Sequence, residues 1–80
     1  MAKAKFSPAY KRLCAALTSA RAMAGLNQTE LARRLGKPQS YVSKVEQGER
    51  RLDVIEYAEY AAALGSDPIR LLRKVLKDEG

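Results

Sequence analysis

The middle of the sequence contains a pair of short apolar segments separated by a glycine and a proline, and this pattern strongly restricts the fold. The first segment contains Leu31, Ala32 and Leu35, and the second contains Val42 and Val45. Gly36 ends the first segment, because glycine takes the left-handed conformation at a helix C-terminus without steric penalty. Pro38 suits only the first turn of a helix and therefore begins the second. The sequence predicts two short helices joined by a tight turn, an arrangement known as a helix-turn-helix.

Three further helices are predicted around this pair. The first has an apolar stripe at helical spacing, with Ser7 and Pro8 at its start and Gly25 after its end: Leu13, Leu17, Ala20 and Ala24. The fourth helix is predicted to bury Val54, Tyr57, Ala58, Ala61 and Leu64, and the fifth to bury Ile69, Leu72 and Leu76. Capping-box spacing opens the second helix at Asn27 and the fourth at Asp53. No segment alternates with period two, so the predicted fold class is all-α with five helices.

Length and charge set the domain organisation and the class of partner. A chain of 80 residues has room for one modest core. We expect a flexible N-terminal arm over residues 1–6, a single domain over 7–77 and a tail over 78–80. The net charge of +6 favours polyanionic partners. This charge is polarised, because residues 33–51 contain six bases and two acids, whereas residues 53–67 contain four acids and no base.

Composition also argues against several classes of protein. No apolar run approaches the ~20 residues that a membrane span needs, and no membrane partner is expected. The sequence has no histidine and one cysteine, Cys14, which we interpret as a packing residue. No catalytic motif is present. We therefore expect a cytoplasmic, nucleoid-associated protein that is not an enzyme and has no metal, cofactor or small-molecule ligand.

Several spaced motifs together resemble the phage repressor and Cro-like helix-turn-helix family, of the xenobiotic response element type. The resemblance is carried by GLNQTELA at residues 25–32, Gly36, YVSKVE at residues 41–46, Gly48 and residues 61–65. It covers roughly residues 7–72. The resemblance implies a five-helix lambda-repressor-like DNA-binding domain in which the third helix reads DNA.

The resemblance also implies roles for residues on the second and third helices. Gln28, at the start of the second helix, is expected to contact a phosphate, and Gln39, at the start of the third, to contact a base. Ser40, Ser43 and Lys44 would lie on the same outward face. Gln39 can pair with adenine and Lys44 with guanine, whereas serine readout is weak.

Other residues near the third helix are candidates for phosphate contacts: Lys37, Tyr41, Arg50 and Arg51. Tyr41 is either a phosphate ligand through its hydroxyl or a surface aromatic that covers the helix start. Glu46 lies on the third helix, where phosphates would repel it. Family members often pair this glutamate with an arginine of the first helix, which implies an ion pair between Arg21 and Glu46.

The fifth helix has a second apolar row, Leu71 and Val75, beyond the one assigned to the core. This surplus row indicates self-association, although a helix buried more deeply in a small core would explain it too. The function expected is a sequence-specific transcriptional regulator that binds double-stranded DNA as a homodimer on a pseudo-palindromic operator. The alternatives are an antitoxin, a restriction-modification controller, or a protein-interaction adaptor with the same fold.

Overall fold

The computed structural model describes residues 7–77. Five α-helices follow one another: α1 (Pro8–Met23), α2 (Gln28–Leu35), α3 (Gln39–Glu46), α4 (Val54–Ala63) and α5 (Pro68–Lys77). The described residues contain no strand, and the predicted all-α architecture of five helices is confirmed. The predicted N-terminal arm, residues 1–6, and the tail, residues 78–80, lie outside the described residues.

Local capping explains where the helices begin. The side chain of Asn27 accepts from the backbone N–H of Glu30 at 2.8 Å, and the Glu30 carboxylate accepts from the Asn27 N–H at 2.8 Å. Asp53 and Glu56 form the same reciprocal pair at the start of α4. These two capping boxes satisfy backbone donors that have no partner inside the helix.

The turn between α2 and α3 differs slightly from the one that the sequence predicts. Pro38 occupies the N-cap position with extended backbone, so the first helical residue of α3 is Gln39. Gly36 has φ +69°, and the N–H of Lys37 donates to the Ala32 carbonyl at 2.9 Å. The turn is therefore closed by a backbone hydrogen bond that requires a left-handed residue at position 36.

The core forms where α2 and α3 pack against α1 and α4. Its least exposed large side chains come from α1, α2, α3 and α4: Leu17, Leu31, Val42, Val45 and Tyr60. Ala32 is also buried, and its small side chain suits the crossing of α2 and α3. The described chain measures 33 × 25 × 20 Å along its principal axes.

The structure contradicts the sequence assignment of the two apolar rows on α5 except at Leu72, which is half-buried and packs against the core as predicted. Val75 is only 3% exposed and Leu71 packs against the core, whereas Ile69 is 63% and Leu76 52% exposed. The cause is the packing of α5 on α1, where Arg12 Nε donates to the Val75 carbonyl at 3.4 Å. The prediction of Val75 as a dimer-interface residue is therefore wrong, because its side chain is already buried within one chain. Leu71 is half-buried and packs against the same core.

The prediction that α4 buries Val54 is also wrong. This residue was expected to lie on the buried face but is 79% exposed. Val54 is the first residue of α4 and lies next to the connecting segment. The buried face of α4 begins with Tyr57 and continues through Tyr60 and Ala61.

Candidate nucleic-acid interface

Helix α3 divides into a buried side and an outward side. Val42 and Val45 are fully buried and Tyr41 is half-buried against the core, so the opposite side of the helix points away from the core. The structure leaves Gln39, Ser40 and Lys44 exposed and Ser43 partly exposed. All four predicted base-contacting residues therefore lie on the side of α3 that is open to a ligand.

A chain of side-chain hydrogen bonds fixes the start of α3, and we call it the polar chain. Gln39 Nε2 donates to Gln28 Oε1 at 2.6 Å, and Gln28 Nε2 donates to Glu46 Oε1 at 2.9 Å. Arg21 Nε donates to Glu46 Oε2 at 2.6 Å, and its Nη2 donates to Oε1 at 3.1 Å. The polar chain links the first residues of α2 and α3 to the last residue of α3 and to α1.

The Arg21–Glu46 ion pair is the least exposed part of the polar chain. The side chains are 17% and 8% exposed, respectively. Arg21 Nη1 also donates to the Leu26 carbonyl at 2.9 Å. The hydrogen bond with the Glu46 carboxylate raises the pKa of Arg21, so the guanidinium stays charged. Glu46 therefore faces α1 and α2, and its negative charge is compensated inside the protein.

Tyr41 brings two of the predicted phosphate-contacting residues together. Lys37 Nζ lies 5.3 Å from the centre of the Tyr41 ring, and Arg50 Cζ lies 5.2 Å from it. The ring packs at a tilt of 41° against Tyr60, with 6.5 Å between ring centres. Burial raises the pKa of the Tyr41 hydroxyl, so it remains a hydrogen-bond donor at neutral pH. Tyr41 is thus an aromatic platform between two cations.

Arg50 makes an ion pair that sequence reasoning missed. Its Nη1 and Nη2 donate to the two carboxylate oxygens of Glu56 at 3.1 and 2.7 Å, and Nη1 also donates to the Arg51 carbonyl. The hydrogen bond from Arg50, followed by the one from the Asp53 N–H, lowers the pKa of Glu56 to about 2. The capping-box spacing that begins at Asp53 accounts for Glu56 only as a capping residue, and no sequence signal connects it to Arg50 across the turn.

Arg51 is oriented by a different aromatic residue. Its guanidinium carbon lies 4.2 Å from the centre of the Tyr10 ring, on α1. The Tyr10 hydroxyl accepts from the Leu52 N–H at 3.3 Å, which ties the segment after α3 to α1. Arg50 and Arg51 are adjacent in sequence but pack on different aromatic rings, and no sequence pattern singles out Tyr10.

Other classes of site are not seen in the part of the chain that the structure describes. No cluster of three or more metal-ligating side chains occurs over residues 7–77. Across the same residues, no helix is long and apolar enough to span a membrane. Cys14 is buried, and burial raises the pKa of its thiol. The predicted absence of enzymatic activity and the predicted location in the cell stay predictions.

Comparison with known proteins defines the class to which this fold and surface belong. A family model described as helix-turn-helix matches residues 17–71, more than half of the chain. Together with the solved relatives below, this match shows that the chain belongs to the XRE family of helix-turn-helix proteins. The membership and the regulators among its relatives support a DNA-binding transcriptional regulator.

Individual solved structures are similar over almost the whole chain. An XRE-family like protein from Pseudomonas syringae pv. tomato str. DC3000 is 49% identical, with a TM-score of 0.84, over 90% of this chain and 88% of that one. The clp gene regulator ClgR from Corynebacterium glutamicum is 28% identical, with a TM-score of 0.79, over 89% of this chain and 91% of that one. A second structure of ClgR has the same identity and TM-score over 90% and 77%. No curated protein matches this sequence.

Proposed function

We propose that this protein is a sequence-specific transcriptional regulator that inserts α3 into the major groove of double-stranded DNA. The observation that carries the proposal is the polar chain, which holds Gln39 at the exposed start of α3. Family membership and the regulators among the similar structures support the same function. A short helix with a fixed, exposed N-terminal end is the element that helix-turn-helix proteins place against base edges.

The hydrogen bond from Gln39 to Gln28 leaves the Gln39 amide suited to read adenine. One N–H of its amide bonds to Gln28, so the second N–H and the Oε1 atom remain for a ligand. Adenine presents an acceptor at N7 and a donor at N6 in the major groove, which a glutamine amide matches with two hydrogen bonds. Lys44 is proposed to contact guanine, and Ser40 and Ser43 to make weaker contacts to bases.

Phosphate contacts would hold α3 in register on the duplex. Gln28 keeps one N–H beyond its bond to Glu46, at the first residue of α2, where backbone N–H groups also favour an anion. Lys37, Tyr41 and Arg50 form one group around the Tyr41 ring, and Arg51 adds a further positive charge over Tyr10. These contacts carry affinity and salt dependence but little sequence information. Because Glu56 already pairs with Arg50, we expect Arg50 to contribute less salt dependence than Lys37.

We further propose that two copies bind a pseudo-palindromic operator. Half-sites of such operators lie about 34 Å apart, one helical turn of DNA. The described chain is 33 Å along its longest axis and 25 Å along the next, so two copies side by side are of a size to place their α3 helices at that spacing.

A selection of bound fragments from random double-stranded DNA tests the proposal. The enriched motif is expected to have two inverted halves, and its affinity is expected to exceed that for random duplex by at least about 10³-fold at physiological salt. Titrations at several salt concentrations measure the phosphate contribution separately. No enrichment, or equal affinity for selected and random duplex, would contradict the proposal and favour a protein-interaction role.

A further inference from the structure

An acid lies among the cations that flank the start of α3. Four side chains, each from a different part of the chain, come together there, and we call them the ion-pair cluster: Lys37, Tyr41, Arg50 and Glu56. Lys37 precedes α3, Arg50 follows it, and Glu56 lies in the first turn of α4. The cluster therefore combines two of the residues proposed to contact phosphate with one carboxylate that DNA would repel.

The carboxylate occupies one end of the Arg50 guanidinium. Arg50 Nη1 and Nη2 donate to Glu56 Oε1 and Oε2 at 3.1 and 2.7 Å. Nη1 also donates to the Arg51 carbonyl, so both of its hydrogens have acceptors. A phosphate binds arginine through the same kind of paired hydrogen bonds as a carboxylate. A phosphate that takes this end of the guanidinium must therefore displace Glu56.

Glu56 also reduces the positive charge of the cluster. The hydrogen bond from Arg50, followed by the one from the Asp53 N–H and by the charges of Arg50 and Lys37, lowers the pKa of Glu56 to about 2. The carboxylate is therefore ionised at neutral pH. The Arg50 and Glu56 side chains are 40% and 27% exposed, and so exposed an ion pair adds little to folding stability. Its larger effect is to compensate one positive charge on the surface proposed to meet DNA.

We propose that Glu56 competes with DNA phosphate for Arg50 and thereby lowers the affinity of the chain for DNA of every sequence. The phosphate groups are the same at every base pair, so the effect falls on affinity and salt dependence and leaves base discrimination unchanged. The inference rests on the proposed function, because it concerns the phosphate contacts of the same surface. It assigns to Glu56 a role that its place in the capping box does not require.

The test titrates a fluorescently labelled duplex of random sequence with the full chain and follows the anisotropy at several salt concentrations. Glu56→Gln keeps an acceptor for the Asp53 N–H but removes the charge that holds Arg50. Release of Arg50 to one more phosphate should steepen the slope of log affinity against log salt by about 0.9. That slope corresponds to an affinity about fivefold higher at about 0.15 M salt, relative to the affinities at about 1 M. Far-UV circular dichroism verifies that the variant is folded.

Glu59→Gln is the matched control for the loss of one negative charge. Glu59 is an exposed acid on the same helix, one turn beyond Glu56, and it forms no ion pair with Arg50. Because salt screens an exposed charge at this distance, the affinity of Glu59→Gln should change by less than about twofold at about 0.15 M salt.

A double-mutant cycle separates competition for Arg50 from a general effect of charge. In an Arg50→Ala chain the guanidinium is absent, so adding Glu56→Gln should change the affinity by less than about twofold. Three results would overturn the inference: an affinity of Glu56→Gln for random duplex that is unchanged or lower, an equal gain in Glu59→Gln, or a gain that persists without Arg50.

The selected duplex distinguishes failure of this inference from failure of the proposed function. A wild-type chain that prefers its selected duplex, with no gain from Glu56→Gln on any duplex, would retain the function and lose the inference. A wild-type chain that binds all duplexes equally, with the expected gain from Glu56→Gln, would retain the inference and lose the sequence-specific function. If both hold, Glu56→Gln should bind selected and random duplex more tightly by the same factor.

Discussion

Glu46→Ala removes the carboxylate on which the polar chain depends. In the native chain Glu46 accepts two hydrogen bonds from Arg21 and one from Gln28. The variant leaves the Arg21 guanidinium, which is 17% exposed, with the Leu26 carbonyl as its remaining partner among these contacts. It also removes the acceptor of Gln28, which is the residue that holds Gln39.

The expected loss follows from the burial of the pair. Breaking a buried ion pair by removing one partner costs about 3–5 kcal/mol. Arg21 retains its hydrogen bond to the Leu26 carbonyl and some contact with water, so we expect a loss at the low end of this range, about 3 kcal/mol. For a domain of this size each kcal/mol lowers Tm by about 4–8 °C, which gives a fall of about 12–24 °C.

Thermal and urea unfolding, followed by far-UV circular dichroism, measure this loss. Glu49→Ala is the matched control, because Glu49 is an exposed acid just beyond α3, and its substitution should change the free energy of unfolding by less than about 0.5 kcal/mol. Replacing both partners, as in Arg21→Met with Glu46→Leu, should cost less than Glu46→Ala alone. A fall in Tm below about 4 °C for Glu46→Ala would refute the reasoning.

Three further predictions concern single residues. The pKa of Glu56 is lowered to about 2, so its ion pair stabilises the fold above the unfolded pKa near 4.5 and this contribution is lost as the pH falls toward 2. Glu56→Gln keeps an acceptor for the cap but has no carboxylate to protonate. The urea midpoint should therefore fall less steeply for this variant than for the wild type as the pH is lowered from 5 to 2. Parallel curves of midpoint against pH would contradict this prediction. Tyr60→Phe removes a buried hydroxyl that has no hydrogen-bond partner among the described residues, so thermal unfolding should show equal or greater stability, and a loss above about 1 kcal/mol would refute it. Gly36→Ala forces a side chain into φ +69° with no steric contact within 4 Å, so urea unfolding should show a loss of about 1 kcal/mol, and an unchanged midpoint would contradict the conformational argument.

The helices could be predicted because their start and stop signals are local. Asn27 and Asp53 each stand three residues before a glutamate, and both capping boxes are present in the structure. The faces of α5 could not be predicted in the same way. Its two apolar rows are of similar hydrophobicity, and only the packing of α5 on α1 determines that Val75 is buried and Ile69 exposed.

The candidate site shows the same division between local and distant information. The outward position of Lys44 follows from helical spacing opposite Val42 and Val45. The partner of Arg50 does not follow from spacing, because Glu56 lies six residues away across the start of α4. The hydrogen bond between Gln39 and Gln28 joins two helices, and the helical spacing within either helix does not indicate it.

A comparison of Gln39→Ala with the native chain on selected DNA tests whether α3 reads bases. Affinities are measured for the selected duplex, for duplexes substituted at single base pairs and for random duplex. Ser19→Ala is the control, because Ser19 is an exposed polar residue on α1 and belongs to neither α2 nor α3. If Gln39 reads a base, Gln39→Ala should lose about 1–3 kcal/mol on the selected duplex, tolerate substitution at one base pair and bind random duplex as before. Equal losses on selected and random duplex would contradict the claim that α3 reads DNA from Gln39.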